Sequence, residues 1–431
     1  MEQLSKIYSF ESDKNQYIYS GYTGLLIENN SRIRDFLFNN KEDNELKNYI
    51  YGNTSKNKQM PYESFLSSIT VFCTNFCNLS CSYCYHKENN FTFSENMNVG
   101  LFIETVEYML QNMKYGEYVN IFFFGGEPLL NFSFIKESVS LLENLEEKYS
   151  TKFTYSLTTN GTVFRDEIID FILEKQIGLM ISIDGKKEVH DKTRKFINGK
   201  GSYDTIIKNV QEISKYMRVP ARVTITDLNT DLIELYEELI EKGFSSVTIA
   251  VVSTKDNKFD FEAEKETLSI RLREMADYTF KKLSNKELIP FTNYANSLKK
   301  IHKGLKSYHP CSSLKGSYTL SAKGDFYLCH RFNNLDEYTF GNFANGLDKK
   351  RVEDFVINHS IVNRNNSCSN CWAASLCGGL CYHAAYTENN NTRDINNLEC
   401  FFNKEVIKNS LYIYSLLDEE IRETIDNWER G

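Results

Sequence analysis

The chain has 431 residues, enough for more than one domain with a well-buried core, and its 41% hydrophobic content is that of an ordinary soluble globular protein. A net charge of -8, with acidic and basic residues interspersed, leaves no nucleic-acid footprint. The opening MEQLSKIYSFESDK has no apolar signal core and no apolar run approaches a membrane span, so a cytoplasmic protein with no membrane or nucleic-acid partner is expected.

A reducing compartment governs how the cysteines are read. There are eleven, an odd number, gathered into CxxxCxxC and CxxC groups, which points to metal ligation rather than to disulfides.

Residues 1–64 read as a small N-terminal module. Tyr17 to Tyr19 and Leu25 to Ile27 form two short strands around the turn SGYTG, and Ile33, Phe36 and Leu37 recur at helical spacing. So few apolar residues hardly make an independent core, so the module is expected to dock on the main body. Its order of elements is similar to a shortened form of the peptide-recognition modules that precede many peptide-modifying radical enzymes, with a plain N-terminal embellishment as the alternative.

Residues 65–285 alternate strand and helix. Strands are expected at Ser68 to Phe72, Val119 to Phe124, Phe153 to Thr158, Leu179 to Ile183, Arg222 to Thr226 and Val247 to Val251. One intervening helix aligns Phe102, Val106, Met109, Leu110 and Met113, and another Ile206, Ile207, Val210 and Ile213. Strands each followed by a helix imply a parallel α/β sheet with right-handed crossovers, curled into a partial (βα)6 barrel of the TIM type. Chemistry in such folds sits at the C-terminal ends of the strands.

The stretch CNLSCSYC follows the first of these strands, with Cys77, Cys81 and Cys84 spaced so that one loop can wrap three corners of a [4Fe-4S] cluster and leave one iron open. A zinc knuckle completed by Cys73 is the alternative, although Cys73 ends the strand and reads as a buried thiol. FFFGGEP follows the second strand; its glycines allow close approach of a ligand, and Glu127 can accept hydrogen bonds from an ammonium group. TTNG follows the third and SIDG the fourth, offering acceptors for ribose hydroxyls or simply helix caps and turns. HDKTR adds Arg194, a fork for a carboxylate or a solvated surface cation.

In this order, on the same ends of successive strands, these motifs resemble the radical S-adenosylmethionine (SAM) enzymes over about 220 residues. The resemblance implies that Gly125, Gly126 and Glu127 hold the methionine amino group, that Asn160, Ser182 and Asp184 line the ribose, that Arg194 meets the carboxylate and that Tyr83 lies near the adenine.

Residues 286–309 read as a Lys-rich helical link. Residues 310–405 hold the second cysteine field: Cys311, twelve residues, Gly324, four residues, Cys329; then CxxCxxxxxCxxxC from Cys368 through Cys371 and Cys377 to Cys381; then Cys400. A zinc ribbon is the alternative, but the pattern resembles the SPASM domain of peptide- and protein-modifying radical enzymes. That likeness implies two auxiliary [4Fe-4S] clusters, three clusters in all. Cys368, Cys371, Cys377 and Cys400 would bind the outer one, and Cys311, Cys329 and Cys381 the inner one. The inner cluster is one thiolate short, and GLKSYHP before Cys311 offers only His309, so an open iron is expected. Residues 406–431 read as a C-terminal helix with Leu411, Tyr414, Leu416 and Leu417.

The implied reaction is reductive cleavage of SAM to a 5′-deoxyadenosyl radical, which takes a hydrogen atom from a ribosomally made precursor peptide. The electron would come from a donor such as flavodoxin or ferredoxin. The open iron suits a substrate thiolate, and CSNCWAASLCGG is similar to the same stretch of thioether-forming maturases of the sactipeptide and ranthipeptide kind. Carbon-carbon crosslinking is the nearest alternative. Formylglycine formation, as in anaerobic sulfatase maturases, is the other; those enzymes carry an aspartate base where this chain has His330, a histidine of near-neutral pKa by its type.

Overall fold

The computed structural model describes residues 5–13, 15–39, 41–52, 64–88, 95–254, 261–425 and 428. Three antiparallel strands open it: β1 (Ile7–Ser12), β2 (Asn15–Ser20) and β3 (Leu26–Glu28). β1 lies outside the expectation because most of it is half-buried, without the clean alternation that betrays a strand. One face of this sheet packs with helices Ser31–Phe38 and Asn44–Tyr51 into a small core of Ile18, Ile33, Leu37, Leu46 and Ile50.

The other face shows where the module docks. Tyr8, Phe10 and Tyr19 lie against Trp372, Ala373, Leu376, Ile407 and Leu411, so its seat is the second cysteine field. The Trp372 ring stacks on Tyr8 with centroids 4.2 Å apart, and the Tyr19 and Ser375 hydroxyls are 2.6 Å apart. Gly21 is needed there, since a Cβ would stand 2.6 Å from the Trp372 carbonyl oxygen.

Six parallel strands follow in sequence order: β4 (Phe65–Thr74), β5 (Lys114–Gly125), β6 (Lys152–Thr159), β7 (Gly178–Ser182), β8 (Pro220–Ile225) and β9 (Ser246–Val251). Helix Val99–Asn112 buries Phe102, Val106, Met109 and Leu110, and helix Tyr203–Ile213 buries Ile206, Ile207, Val210 and Ile213, as their spacing predicts. This is the mixed α/β partial barrel that the alternation implied.

The sheet does not end at β4. β10 (Ser317–Leu320) joins β4 in parallel, Ser317 opposite Ser68 and Leu320 opposite Val71. β11 (Asp325–Tyr327), β12 (Thr339–Asn342) and β13 (Gly346–Leu347) continue it antiparallel, giving ten strands in one sheet. The segment between Cys311 and Cys329 is thereby fixed beside the strand that leads into Cys77. Strands this short carry almost no periodic signal, which is why the sequence did not reveal them.

The 286–309 link contains helix Thr292–His302. The C-terminal helix runs Asn397–Leu416, starting ahead of the expected position 406 because the Asn396 side chain caps it, accepting from Glu399 N at 2.8 Å. Cys400 thus sits in its first turns. Positions 426, 427 and 429–431 of the expected helix, and 53–63 of the N-terminal module, lie outside the described residues. No helix among the described residues is long and apolar enough to cross a membrane.

Candidate active site

The loop after β4 is held from both sides. Ser80 N and Ser82 N donate to the carbonyls of Lys195 and Thr193 at 2.7 and 2.9 Å, and Ile197 N donates to Asn78 O at 3.1 Å. Cys77, Cys81 and Cys84 are half-buried free thiols close enough for Cys77 to feel the charge of both others. Burial pushes the Cys77 thiol up to about 12, with Glu127 adding to it; Cys81 is also raised by burial, against the pull of Arg194. Such thiols ionise only where a cation compensates, so this soft donor set fits an iron-sulfur cluster. Cys73 is fully buried, its Sγ turned to Val71 O at 3.9 Å. Among the described residues no three His, Cys, Asp or Glu side chains converge on a single metal ion.

Gly125 and Gly126 let the end of β5 press on this loop. Gly126 N donates to Thr74 O at 2.9 Å and Glu127 N to Phe76 O at 2.7 Å, and a Cβ on Gly126 would stand 2.2 Å from the Phe76 carbonyl oxygen. The Glu127 carboxylate turns inward. It is 0% exposed and accepts from Leu129 N at 3.1 Å, Thr159 Oγ1 at 2.7 Å and Asn160 N at 2.7 Å, and burial raises it to about 7. In this arrangement it ties β5 to β6.

Asn160 carries the tie onward: its Nδ2 donates to Asn78 Oδ1 at 2.8 Å and lies 3.8 Å from Cys77 Sγ. Asp184 is similarly engaged, accepting from Tyr83 Oη, Thr193 Oγ1 at 3.2 Å and Thr224 N at 3.2 Å, and pairing with Arg194 Nε at 2.9 Å. The Arg194 guanidinium lies over the Tyr83 ring and 4.0 Å from Cys81 Sγ. Ser182 ends β7, half-buried, opposite Arg222. Tyr83, Asp184 and Arg194 therefore form one buried cluster under the cysteine loop. His190, unassigned in the sequence, braces it, accepting from Asp184 N at 3.2 Å; burial pushes its pKa down to about 4.

The second field separates into two groups. Cys329 feels Cys381 and Cys311, whereas Cys400 feels Cys371 and Cys368, and Cys377 feels Cys400 and Cys371. His309, two residues before Cys311, has its Nδ1 3.1 Å from the Oη of Tyr382, the residue after Cys381. Arg364, 1% exposed, organises the outer group's frame; it donates to the carbonyls of Leu380, Thr392 at 2.8 Å and Arg393 at 3.1 Å. Nothing in its sequence setting, IVNRNN, marks it.

Between the first loop and the inner group lies an aromatic and basic cluster. His330 packs tilted against Phe124 with ring centroids 4.6 Å apart, near Tyr85, and Arg331 lies over the Tyr85 ring. Burial, with Arg331, His86 and Arg222 nearby, drives His330 down to about 3. The near-neutral pKa expected of it is thereby corrected: at neutral pH it is an uncharged imidazole and a poor proton acceptor.

A partial barrel with a three-cysteine loop on its first parallel strand and Gly-rich turns on the next defines a class, and the chain belongs to the radical SAM superfamily, whose family pattern matches residues 71–241. It is a radical SAM enzyme, and that membership implies SAM and a [4Fe-4S] cluster. Among its relatives is a protein of Methanocaldococcus jannaschii, 30% identical over 65% of this chain and 88% of that protein. A cysteine-type anaerobic sulfatase-maturating enzyme of Clostridium novyi is 25% identical over 73% of this chain and 87% of its own. The radical SAM cyclopropyl synthase TigE of Paramaledivibacter caminithermalis is 21% identical over 79% and 73%. The fold is shared with anSMEcpe bound to AdoMet, TM-score 0.69 at 20% identity over 84% of this chain and all of that one. It is also shared with Streptococcus suis SuiB bound to precursor peptide SuiA, TM-score 0.54 at 15% identity over 92% and 98%.

Proposed function

We propose that this enzyme is a peptide maturase that closes a thioether between a cysteine sulfur and a carbon of another residue in a ribosomally made peptide. The reading rests on the cysteine count: three thiols, Cys311, Cys329 and Cys381, fall to the inner group, and Cys329 feels the charge of the other two. An auxiliary cluster held there would have one iron without a protein thiolate, available to a substrate thiolate, and Cys368, Cys371, Cys377 and Cys400 would hold an outer cluster. The relatives support a peptide substrate, since SuiB is bound to its precursor peptide and anSMEcpe to the Kp18Cys peptide.

Cys77, Cys81 and Cys84 would hold the SAM-binding cluster, with Tyr83, Gly125, Gly126, Asn160, Ser182 and Arg194 around SAM. When bound, these groups supply a 5′-deoxyadenosyl radical that takes one hydrogen atom from the peptide. Overall, SAM, a thiol and a C–H bond become methionine, 5′-deoxyadenosine, a thioether and one proton; the electron taken in at cleavage, from flavodoxin or ferredoxin, is returned as the C–S bond closes. The chain's contribution would be positional: Tyr85, Phe124 and His330, packed on one another, would stand between the two centres and keep water out.

The likeness to sulfatase-maturating enzymes favours a second reading, oxidation of a cysteine or serine to formylglycine. An uncharged, enclosed His330 in place of an aspartate base weighs against it. The test is mass spectrometry of a cysteine-containing peptide encoded beside the gene, after anaerobic turnover and thiol alkylation. A loss of two hydrogens together with one alkylatable thiol supports the thioether. The same mass loss with every thiol alkylatable replaces it with a carbon-carbon link, and a carbonyl replaces it with formylglycine.

A further inference from the structure

The inner cysteine group offers three thiols, Cys311, Cys329 and Cys381, to a cluster of four irons, so one donor is unaccounted for. Contacts between the three segments show where it could come from. His309, before Cys311, has its Nδ1 3.1 Å from the Oη of Tyr382, which follows Cys381. Phe332, after Cys329, packs on His383 with ring centroids 5.3 Å apart. The segments of all three cysteines therefore meet at the turn that carries Cys381.

A carboxylate reaches the same turn. Glu399 lies in the first turn of helix Asn397–Leu416, three residues after the cap Asn396 and next to Cys400 of the outer group. A glutamate at that helix position ordinarily reaches back to the backbone N–H of the cap residue. Here Oε1 instead accepts from Cys381 N at 3.3 Å. Oε2 is shut off from solvent and has no hydrogen-bond partner, and no ion pair takes up the carboxylate among the described residues. A buried carboxylate oxygen is satisfied by hydrogen bonds, by a cationic side chain or by a metal. Only the third remains for Oε2, and the site that is short of a donor lies beside it. Iron accepts oxygen as well as thiolate donors, the oxygen being the harder and more readily exchanged of the two on a sulfur-rich cluster.

We propose that Glu399, through Oε2, is the fourth protein donor to the inner cluster, so that this position is held by an exchangeable carboxylate in the peptide-free enzyme. The inference rests on the peptide-maturase reading for its substrate and adds how the position is kept until the peptide arrives. The substrate thiolate, a softer donor, then replaces the carboxylate. The exchange swaps one anionic donor for another, the iron keeps its oxidation state, and the thiol proton passes to the medium.

The test is pulsed electron paramagnetic resonance of the reduced, cluster-loaded, SAM-bound enzyme made with glutamate isotopically labelled at its carboxyl carbon. A coupling to the labelled carbon should appear in the native enzyme, vanish in Glu399→Gln, and vanish in the native enzyme when a short cysteine peptide is added. Glu399→Gln should bind that peptide about tenfold more tightly, the factor for a carboxylate that holds the position about nine-tenths of the time. Glu399→Cys should keep the iron bound per chain and show no spectral response to the peptide, its thiolate completing the set. Absence of the coupling in the native enzyme overturns the proposal even if a variant does not fold. A coupling that persists in Glu399→Gln also overturns it, as does one to labelled histidine nitrogen in its place, which hands the position to His309. A native coupling that survives saturation with the peptide keeps Glu399 as the ligand and retires the thioether reading alone, whereas a thioether product without the coupling retires the ligand alone.

Discussion

Glu127 offers a test of whether its carboxylate braces the barrel from inside. Burial raises it from 4.5 to about 7 in the folded enzyme, so between these values the folded state holds a proton that the unfolded chain has released. Stability therefore falls as pH rises through this window, by about 3 kcal/mol in full for a shift of about 2.5 units. Roughly 2 kcal/mol of that falls between about pH 5.5 and pH 8. Glu127→Gln removes the titration and gives up one acceptor among Leu129 N, Thr159 Oγ1 and Asn160 N, a roughly pH-independent loss of about 1–3 kcal/mol. Unfolding free energies from anaerobic urea titrations should show the wild type's advantage over Glu127→Gln shrinking by about 2 kcal/mol between those pH values. Parallel stability-pH curves for the two proteins would refute the buried-brace account and return the carboxylate to a solvated or ligand-facing position.

Gly126→Ala should displace the cysteine loop, because the added Cβ meets backbone at 2.2 Å and no flexible side chain can yield; iron bound per chain and SAM cleavage should fall together while the far-UV spectrum holds. Cys73→Ala should leave iron content unchanged at a stability loss of about 1 kcal/mol, in contrast to Cys77→Ala, which should abolish SAM cleavage; iron loss in the Cys73 variant would make that thiol a ligand. Arg364→Leu strands the carbonyls of Leu380, Thr392 and Arg393 in the interior and should lower stability by about 3–5 kcal/mol, read as an earlier thermal transition. Trp372→Ala removes the stack on Tyr8, and hydrogen exchange should rise in β1 and β2 while β4 to β9 keep their protection.

The parts that were legible in the sequence are those where one physical period dominates. The six parallel strands and their amphipathic helices announced themselves because each repeats a single burial rule over several residues, and the cysteines did so because ligand spacing is a local property of the chain. Illegible were features decided by partners distant in sequence. Strands of two to four residues such as β10 to β13 acquire meaning only beside β4. The hydrogen bonds of Glu127 to Thr159 and Asn160 exist only once β5 and β6 pair, and nothing local marks Arg364, whose partners are the carbonyls of Leu380 and of the segment from Thr392 to Asp394.

That dependence on distant partners bears on how the two cysteine fields work together. β10 hydrogen-bonds to the strand that leads into Cys77, and the loop after β11 delivers Cys329 and His330 against Phe124 at the end of the neighbouring strand. The inner cysteine group is therefore anchored by continuous backbone pairing to the same sheet that positions the first loop, so the separation between the two centres is set by strand register rather than by a domain hinge. The proposed thioether closure, with hydrogen abstraction at one centre and bond formation at the other, would need such a fixed distance, since the carbon radical would have to meet its sulfur first. The N-terminal sheet, stacked through Tyr8 on Trp372 between Cys371 and Cys377, adds weight on the outer side of that frame.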